Sequence, residues 1–236
     1  SQLSAGIFSF TPTGWRVISN IKKIIDDEMK KINCFESNLP VIQPSDIWKQ
    51  SGRIDSFIPP LANFQDRRDK KMIIAPTHEE AVIDLVKNYL RSFRDLPFSL
   101  YHIQTKFRDE TRPRGGLLRV REFEMKDAYS FHADEKSLDE TFEKFSEAYF
   151  NIFKKCGLNV VKVAADSGAI GGKVSSEFVS LSDSGEDTIL MCDSCSYSAN
   201  EEKAEFIRVV KEPLNYESKK EVETVGITSI DQLSEY

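Results

Sequence analysis

The residues whose side chains are best suited to bind or activate a ligand lie in one stretch of the chain, residues 107–132. Arg108 and Glu110 are two positions apart, and in a strand they would point to the same side, because successive side chains alternate. A Pro-Arg-Gly-Gly turn follows, and then three residues at the same spacing: Arg119, Arg121 and Phe123. Arginine binds phosphate or carboxylate with paired hydrogen bonds. A carboxylate accepts from an exocyclic amine, and an aromatic ring stacks on a base. The pattern predicts a hairpin that binds a nucleotide triphosphate beside a carboxylate substrate.

Local charge supports a phosphate site within an acidic protein. The chain carries a formal net charge of −6. Between Lys106 and Arg121, basic residues outnumber acidic ones by six to two. Such a confined positive region fits a phosphate site better than a broad nucleic-acid surface, although contact with the acceptor end of a tRNA remains an alternative. A solvated charged hairpin would explain a single Arg-x-Glu, but it explains the whole ordered run poorly.

The run resembles motif 2 of class II aminoacyl-tRNA synthetases, in the form found in bacterial-type prolyl-tRNA synthetases. The resemblance extends from Gln2–Gly6 to Ala199–Ala204. It implies that Arg108 is catalytic and bridges the carboxylate of proline and the α-phosphate of ATP. The resemblance also implies roles for three more residues: Glu110 accepts from the adenine amine, Phe123 stacks on adenine, and Arg119 lies near the phosphates.

The resemblance further implies a ligase that activates proline with ATP, accompanied by Mg²⁺, and transfers it to tRNA(Pro) in the cytoplasm. The expected fold is α+β, with an antiparallel sheet flanked by helices. Residues 1–205 would form the catalytic domain, and 206–236 a linker and the beginning of an editing insertion. The glycine-rich segment with a late arginine, motif 3 of the family, is not found in these 236 residues. The expectation is therefore an incomplete catalytic fragment that does not activate proline by itself.

A second segment whose side chains could bind a ligand is Pro76–Glu80. Thr77 and Glu80 have the spacing of a capping box that opens a helix, which leaves Glu79 without a structural explanation. By resemblance to prolyl-tRNA synthetases, Thr77 and Glu79 bind the amino acid, with the carboxylate of Glu79 receiving the proline ammonium. An ammonium with two N–H donors is a suitable partner for a carboxylate.

The N-terminal third predicts a long helix followed by a strand. Apolar residues recur at three- and four-residue steps from Gly14 to Lys31, with Thr13 as a cap, and Cys34–Leu39 reads as a strand that stops at Pro40. Many proteins contain such a unit. By resemblance it is motif 1, in which Gly14 and Pro40 belong to the interface of a homodimer.

The remaining elements follow from periodicity and from punctuating residues. A capping box of Ser137 and Glu140 opens a helix that Gly157 closes. The predicted strands are Lys71–Ala75, Pro97–Phe107, Glu122–His132, Leu158–Ala164 and Thr188–Met191. The glycine-rich run 166–172 lacks the lysine of a phosphate loop. The segment Ser176–Phe178 that follows resembles a strand bordering the proline pocket.

The cysteines and histidines predict no metal site. Cys192-x-x-Cys195 is half of a zinc site, since structural zinc takes four ligands and no second pair follows. His78, His102 and His132 are scattered among other motifs. No apolar stretch of about 18 residues is present to span a membrane.

Two alternatives to a proline enzyme stay open. One is a non-catalytic relative that keeps the fold for binding or regulation, although Arg108, Glu110, Arg119 and Phe123 are all in place. The other is a class II enzyme specific for threonine or serine.

Overall fold

The computed structural model describes residues 1–166, 174–183, 185, 187–205, 224 and 226. Most of the glycine-rich run 166–172 lies outside the described residues. So does the proposed linker and editing segment 206–236, apart from residues 224 and 226. Within the described part, none of the helices combines the length and the apolar composition needed to cross a lipid bilayer.

The helices are α1 (Pro12–Lys31), α2 (Ser45–Gln50), α3 (Glu79–Tyr89) and α4 (Glu135–Lys155). The strands are β1 (Gln2–Ser4), β2 (Ile7–Phe8), β3 (Phe35–Glu36), β4 (Ile42–Pro44), β5 (Asn63–Gln65), β6 (Lys71–Ile74), β7 (Phe98–Phe107), β8 (Glu122–Phe131), β9 (Val161–Ala165), β10 (Ser175–Val179), β11 (Ile189–Met191) and β12 (Ser198–Asn200). The chain divides into two compact units. The first contains Ser1–Val163 and Ser176–Glu186, and the second contains Ala164–Ser175 and Asp187–Tyr236.

The first unit is organised around the antiparallel hairpin of β7 and β8, which pair from Phe98 opposite Phe131 to Phe107 opposite Glu122. This confirms the predicted antiparallel pair. β3 joins the other edge of β7 in parallel, with Phe35 opposite Leu100, so the three-stranded sheet is mixed. A separate antiparallel sheet has the order β4-β6-β5. In the second unit, β11 and β12 form an antiparallel pair.

The predicted strand geometry beyond this hairpin is wrong. Residues 108–121 form a loop, so Arg108 and Glu110 do not lie on a strand, and of the three residues after the turn only Phe123 lies in β8. The last ladder bond joins Arg108 N–H to the carbonyl of Arg121, at 2.8 Å. Further out, an isolated bridge between Arg114 and Arg119 closes a tight turn.

Gly6 explains in part why the ladder stops. Its carbonyl accepts the N–H of Arg121 at 2.8 Å, which directs that N–H to the β1–β2 hairpin rather than to the opposite strand. Gly6 has a φ of +69°, and a Cβ there would lie 2.8 Å from the backbone nitrogen of Arg121. Only glycine fits both the left-handed backbone and the close approach.

The two faces of the β7–β8 hairpin bury different helices. One face packs against α1 and α4 in a cluster made of Met29, Cys34, Tyr101, Ala148 and Ile152. The other face packs against α3 through a cluster of Leu39, Val82, Val86 and Leu100. Because side chains alternate along a strand, residues of β7 with even numbers share the face that lies under α3.

Three helices begin with a different capping residue from the one predicted. α1 begins at Pro12 and is capped by Thr11, whose hydroxyl accepts from Gly14 N–H at 3.3 Å, rather than by Thr13. α4 is capped by Asp134, whose carboxylate accepts from Ser137 N–H at 2.8 Å, so the predicted capping box of Ser137 and Glu140 is wrong. In both cases an oxygen acceptor before the expected cap satisfies the free N–H groups of the first turn. The third start, that of α3, lies at the candidate site.

The end of α4 is as predicted. Gly157 has a φ of +81°. Its N–H donates to Lys154 O at 3.1 Å, and Leu158 N–H donates to Phe153 O at 2.9 Å, which satisfies the final carbonyls. The strand predicted over Cys34–Leu39 is much shorter, since β3 covers only Phe35–Glu36.

Candidate active site

The loop from Ala75 to His78 docks against the end of β7. Phe107 N–H donates to the carbonyl of Ala75 at 2.9 Å. Arg108 Nε then donates to the carbonyl of Pro76 at 3.3 Å. These contacts bring the two segments singled out from the sequence to one place, with Arg108 beside the loop that carries Thr77 and Glu79.

Thr77 and Glu79 interact directly, because the hydroxyl of Thr77 donates to the carboxylate of Glu79. Glu79 Oε2 also lies 3.4 Å from Nη1 of Arg53. Its side chain keeps 39% of its exposure and borders a cavity of about 240 Å³. The carboxylate is therefore held at one oxygen but remains accessible to a ligand.

Glu80 does not have the role in a capping box that the sequence predicted. The residue that caps α3 is His78, without a side-chain hydrogen bond to the helix, so Thr77 and Glu80 do not form a capping box. The hydroxyl of Thr77 is engaged by Glu79 instead. Glu80 is buried and accepts from Ser51 Oγ at 2.9 Å and from Arg53 Nη1 at 3.0 Å. Its role in this arrangement is to anchor the first turn of α3.

Arg108 faces the aromatic ring of Phe123 across the hairpin. The guanidinium carbon lies 5.5 Å from the ring centroid, within the range of a cation–π contact. Arg108 is half-buried and its Nε is used by the loop, while Phe123 is half-buried at the start of β8. The geometry leaves the arginine and the ring adjacent at the mouth of the hairpin.

Glu110 and Arg119 are paired with each other. Nε and Nη2 of Arg119 lie 2.9 and 2.8 Å from Oε2 of Glu110. The other oxygen accepts from the N–H of Arg112 at 3.2 Å. The Arg112 N–H and then the Arg119 guanidinium lower the pKa of Glu110, so its carboxylate is ionised.

The two residues assigned to a dimer interface lie in other parts of the first unit. Gly14 is in the first turn of α1, where its N–H meets the Thr11 cap. Pro40 lies between β3 and β4, and its carbonyl accepts from Gln43 Nε2 at 3.4 Å. Their place in an interface stays a prediction. The segment Ser176–Phe178 lies in β10, where Phe178 packs against the aromatic rings of α4, with centroids 4.9 Å apart for Phe150.

A buried polar cluster beneath the loop is the main feature missed from the sequence. Lys106 Nζ lies 2.6 Å from Asp127 Oδ2, 2.5 Å from His78 Nδ1 and 3.4 Å from His102 Nε2. His78 and His102 stack edge to face, with centroids 4.6 Å apart. Two of the three histidines that seemed scattered along the chain thus meet, because His102 and Asp127 are opposite each other in the hairpin and the loop places His78 above them.

Burial and charge pairing set the protonation states in this cluster. Burial lowers the pKa of Lys106, and the hydrogen bond to Asp127 opposes that shift. Burial alone would raise the pKa of Asp127, but hydrogen bonds from His102 and Lys106 hold it well below its usual range. Burial and the charge of Lys106 lower the pKa of His78 to about 4, which keeps its ring neutral at pH 7. His78 Nδ1 is therefore free to accept from the ammonium.

A sequence signal for this cluster did exist. His102, Gln104 and Lys106 alternate on one face of a long strand, and Asp127 and Tyr129 alternate on the next. Polar residues at period two on a buried strand face predict a buried network.

The family model described as "tRNA synthetase class II core domain (G, H, P, S and T)" matches residues 63–236 of the chain. Among curated proteins, the chain is similar to the proline--tRNA ligase of Dehalococcoides mccartyi, with 50% identity over 235 residues that cover 100% of this chain and 41% of that protein. It is likewise similar to the proline--tRNA ligase of Thermotoga maritima, with 46% identity over 236 residues and the same coverage. The chain spans about two fifths of the length of these relatives.

Solved structures show the same fold. The Giardia lamblia prolyl-tRNA synthetase in complex with prolyl-adenylate superposes with a TM-score of 0.64 at 23% identity, over 69% of this chain and 34% of that one. The Cryptosporidium parvum prolyl-tRNA synthetase complexed with L-proline and AMP gives a TM-score of 0.66 at 20% identity, over 75% and 36%. At these identities the likeness establishes the fold, and it agrees with the α+β class predicted from the sequence.

Proposed function

The chain belongs to the class II tRNA synthetase core domain family, and we propose that it forms part of an enzyme that activates proline with ATP and transfers it to tRNA(Pro). The observation that carries this proposal is the meeting of two segments. The loop with Thr77 and Glu79 lies against Arg108 at the mouth of the β7–β8 hairpin. A carboxylate and a guanidinium at one site suit an amino acid, which presents an ammonium and a carboxylate together.

Thr77 and Glu79 are the proposed contacts for the proline ammonium. The secondary ammonium has two N–H donors, and the partly exposed carboxylate of Glu79 and the Thr77 hydroxyl are two acceptors that the loop already holds together. Arg108 is the proposed contact for the proline carboxylate. Binding both ends of the amino acid fixes the direction in which its carboxylate faces the nucleotide.

Activation requires the proline carboxylate to attack the α-phosphate of ATP, with pyrophosphate as the leaving group. In the proposed arrangement Arg108 bridges the two reacting groups and neutralises the charge that gathers between them. Phe123, 5.5 Å from the Arg108 guanidinium, stacks on the adenine ring. Glu110 accepts from the adenine amine, and Arg119 contacts the phosphates once nucleotide separates this pair.

Mg²⁺ would accompany ATP and neutralise its phosphates. We assign no described residue as its ligand, because the proposal already uses Glu79 for the proline ammonium and Glu110 for the adenine amine. The basic loop 108–121 is the proposed contact for the acceptor end of the tRNA. The proposal also includes a homodimer, with Gly14 and Pro40 in its interface, and a cytoplasmic location. It divides the chain at residue 205 into the catalytic domain and a linker with the beginning of an editing insertion.

Amino-acid-dependent exchange between ATP and pyrophosphate tests the proposal in the full-length protein. Proline should support exchange, while threonine and serine should not. The test variant is Glu79→Gln, which should raise KM for proline. Its KM for ATP serves as the internal control and should be unchanged. Exchange with threonine or serine instead of proline would show that the enzyme activates that amino acid and not proline. The absence of exchange with all three would favour a non-catalytic relative.

A further inference from the structure

Lys106 is fully buried, which is rare for lysine. Removing an ammonium from water is costly, and it is tolerated only with close partners. Apolar side chains of similar size usually stabilise a core as well as a buried ion pair does. Stability therefore gives no reason for a lysine at this position of β7, directly under the loop that carries Thr77 and Glu79.

The ammonium connects three segments of the chain. His78, which accepts from Nζ at 2.5 Å, lies between Thr77 and Glu79 in the loop. Asp127, at 2.6 Å, belongs to β8. The same carboxylate oxygen of Asp127 accepts from the hydroxyl of Tyr129 at 3.2 Å. One cation thus ties the loop to both strands of the hairpin.

The cluster also has the donor set of a divalent-cation site. Donor atoms of His78, His102 and Asp127 lie within 4.8 Å of one another. However, the ammonium of Lys106 contacts each of the three donors, at distances from 2.5 to 3.4 Å. The positive charge among these donors is therefore part of the polypeptide.

We infer that Lys106 is a positioning residue for amino-acid binding: its buried ammonium fixes His78, and with it the Thr77 hydroxyl and the Glu79 carboxylate, against the β7–β8 hairpin. This inference rests on the proposed function for its kinetic consequence. Its structural consequence, an ordered loop at residues 75–80, does not depend on which amino acid is bound.

Other contacts of the loop define what Lys106 adds. The backbone bond from Phe107 to Ala75 and the Arg108 contact to Pro76 hold the beginning of the loop. Glu80 holds its end through Ser51 and Arg53. His78 lies between these anchors. The carbonyl of Thr77 accepts from Gln43 Nε2 at 3.5 Å, whereas Lys106 holds the side chain of His78 and so helps to orient the residues on either side of it.

The test uses Lys106→Met in the full-length protein, because methionine keeps much of the length of the side chain and removes the charge. The matched control is Lys126→Met. Lys126 is a half-buried lysine of β8 on the opposite face, where Nζ donates to Tyr149 OH at 2.6 Å, away from the loop. Lys106→Met should raise KM for proline by about 10-fold or more and change KM for ATP less than about 2-fold, whereas Lys126→Met should change neither.

A double variant separates positioning from stability. Lys106→Met alone removes the ammonium that neutralises Asp127 and leaves this largely buried carboxylate with only the hydrogen bonds from His102 and Tyr129, so the melting temperature of the variant should fall. Lys106→Met with Asp127→Asn removes both charges and should recover melting temperature, but KM for proline should stay high because the contact with His78 is still missing. Recovery of both quantities would mean that Lys106 only neutralises Asp127, and it would overturn the inference. Should the single variant fail to fold, the double variant carries the same comparison.

Hydrogen exchange keeps this test independent of the proposed function. Mass spectrometry of a peptide spanning residues 74–82 should show exchange about 10-fold faster in Lys106→Met than in wild type, and unchanged in Lys126→Met. A wild-type protein that activates another amino acid, or none, would refute the proposed function but leave this readout intact. Unchanged exchange in a folded Lys106→Met protein would refute the positioning role.

Discussion

Nε and Nη2 of Arg119 lie 2.9 and 2.8 Å from the same oxygen of Glu110. The carboxylate proposed to read adenine and the guanidinium proposed to contact phosphate therefore neutralise each other when no nucleotide is bound. Half of the Arg119 side chain is exposed, and exposed ion pairs contribute little to stability. In the proposed site, ATP would therefore replace the contacts between Glu110 and Arg119 at a small cost in free energy.

The pair gives a prediction for Glu110→Gln. In the full-length protein the variant should raise KM for ATP by about 10-fold, because the carboxylate proposed to accept from the adenine amine is replaced by a weaker, neutral acceptor. KM for proline should change less than about 2-fold. Exchange kinetics with each substrate varied in turn measure both constants. An equal rise in the two would place Glu110 in a structural role for the whole loop.

Arg108→Ala should lower kcat for proline-dependent exchange by about 100-fold or more, which is the usual cost of removing a preorganised charge from a reacting group. The fold should survive, because the side-chain hydrogen bond that is lost is the one to the Pro76 carbonyl. Arg112→Ala is the control, since Arg112 is exposed in the same loop. Circular dichroism checks folding, and a folded Arg108→Ala protein with normal kcat would remove Arg108 from the catalytic role.

Glu79→Gln and Glu80→Gln should have different consequences, although the residues are adjacent. Glu79 is partly exposed, and its substitution should act on KM for proline, by about 10-fold or more, with little effect on unfolding. Glu80 is buried against Ser51 and Arg53, so Glu80→Gln should lower the free energy of unfolding by about 1–3 kcal/mol. Urea unfolding and exchange kinetics of both variants distinguish the two. Similar profiles for both would mean that the carboxylate of Glu79 also serves only the fold.

The sequence was sufficient to predict the elements that depend on local periodicity. The hairpin strands and the helix ended by Gly157 follow from spacing, whereas Arg108 and Glu110 lie in a loop and not on the strand face that their spacing predicted. The register at the loop did not follow, because the N–H of Arg121 is taken by Gly6, which is more than a hundred residues away. Local patterns carry no information on such distant partners.

The same limit contributes to the error at the start of α3, whereas the caps of α1 and α4 are local alternatives, Thr11 and Asp134. Thr77 and Glu80 have the spacing of a capping box, but Arg53 pairs with Glu80 and Glu79 receives the Thr77 hydroxyl. The cluster around Lys106 was missed for a related reason. It depends on strand pairing and on a loop that folds over the strands, and only the alternation of polar residues along β7 indicated it.

The cysteines should differ in reactivity according to their surroundings. Burial raises the pKa of Cys34 to about 12, whereas the N–H of Ser194 lowers the pKa of the exposed Cys192. Iodoacetamide at pH 8 should therefore modify Cys192 while Cys34 stays unmodified until the protein is unfolded, because the thiolate is the reactive form. Mass spectrometry of digests locates the adducts. Rapid modification of Cys34 in the folded protein would contradict this assignment.

Cys192→Ser combined with Cys195→Ser should leave the zinc content and the melting temperature nearly unchanged, since two thiols are an incomplete structural site. Elemental analysis of the purified protein measures the metal. Zinc bound in a 1:1 ratio and lost in the double variant would reverse the sequence interpretation of this pair.

Lys126 should make stability depend on pH in a predictable direction. Burial lowers the pKa of Lys126 to about 8 in the folded protein, below the value of an unfolded lysine. Between these two values the unfolded chain binds more protons than the folded one, so the contribution of Lys126 to the free energy of unfolding rises with pH. Its destabilising effect is fully present below pH 8. Lys126→Met removes this effect, so the stability of the variant relative to wild type should fall by as much as about 3 kcal/mol as pH rises from about 8 to about 10.5. Urea unfolding of both proteins across this range measures the difference. A difference that stays constant with pH would show that Lys126 is charged in the folded protein throughout, stabilised over the ring of Tyr149, whose centroid lies 4.1 Å from Nζ.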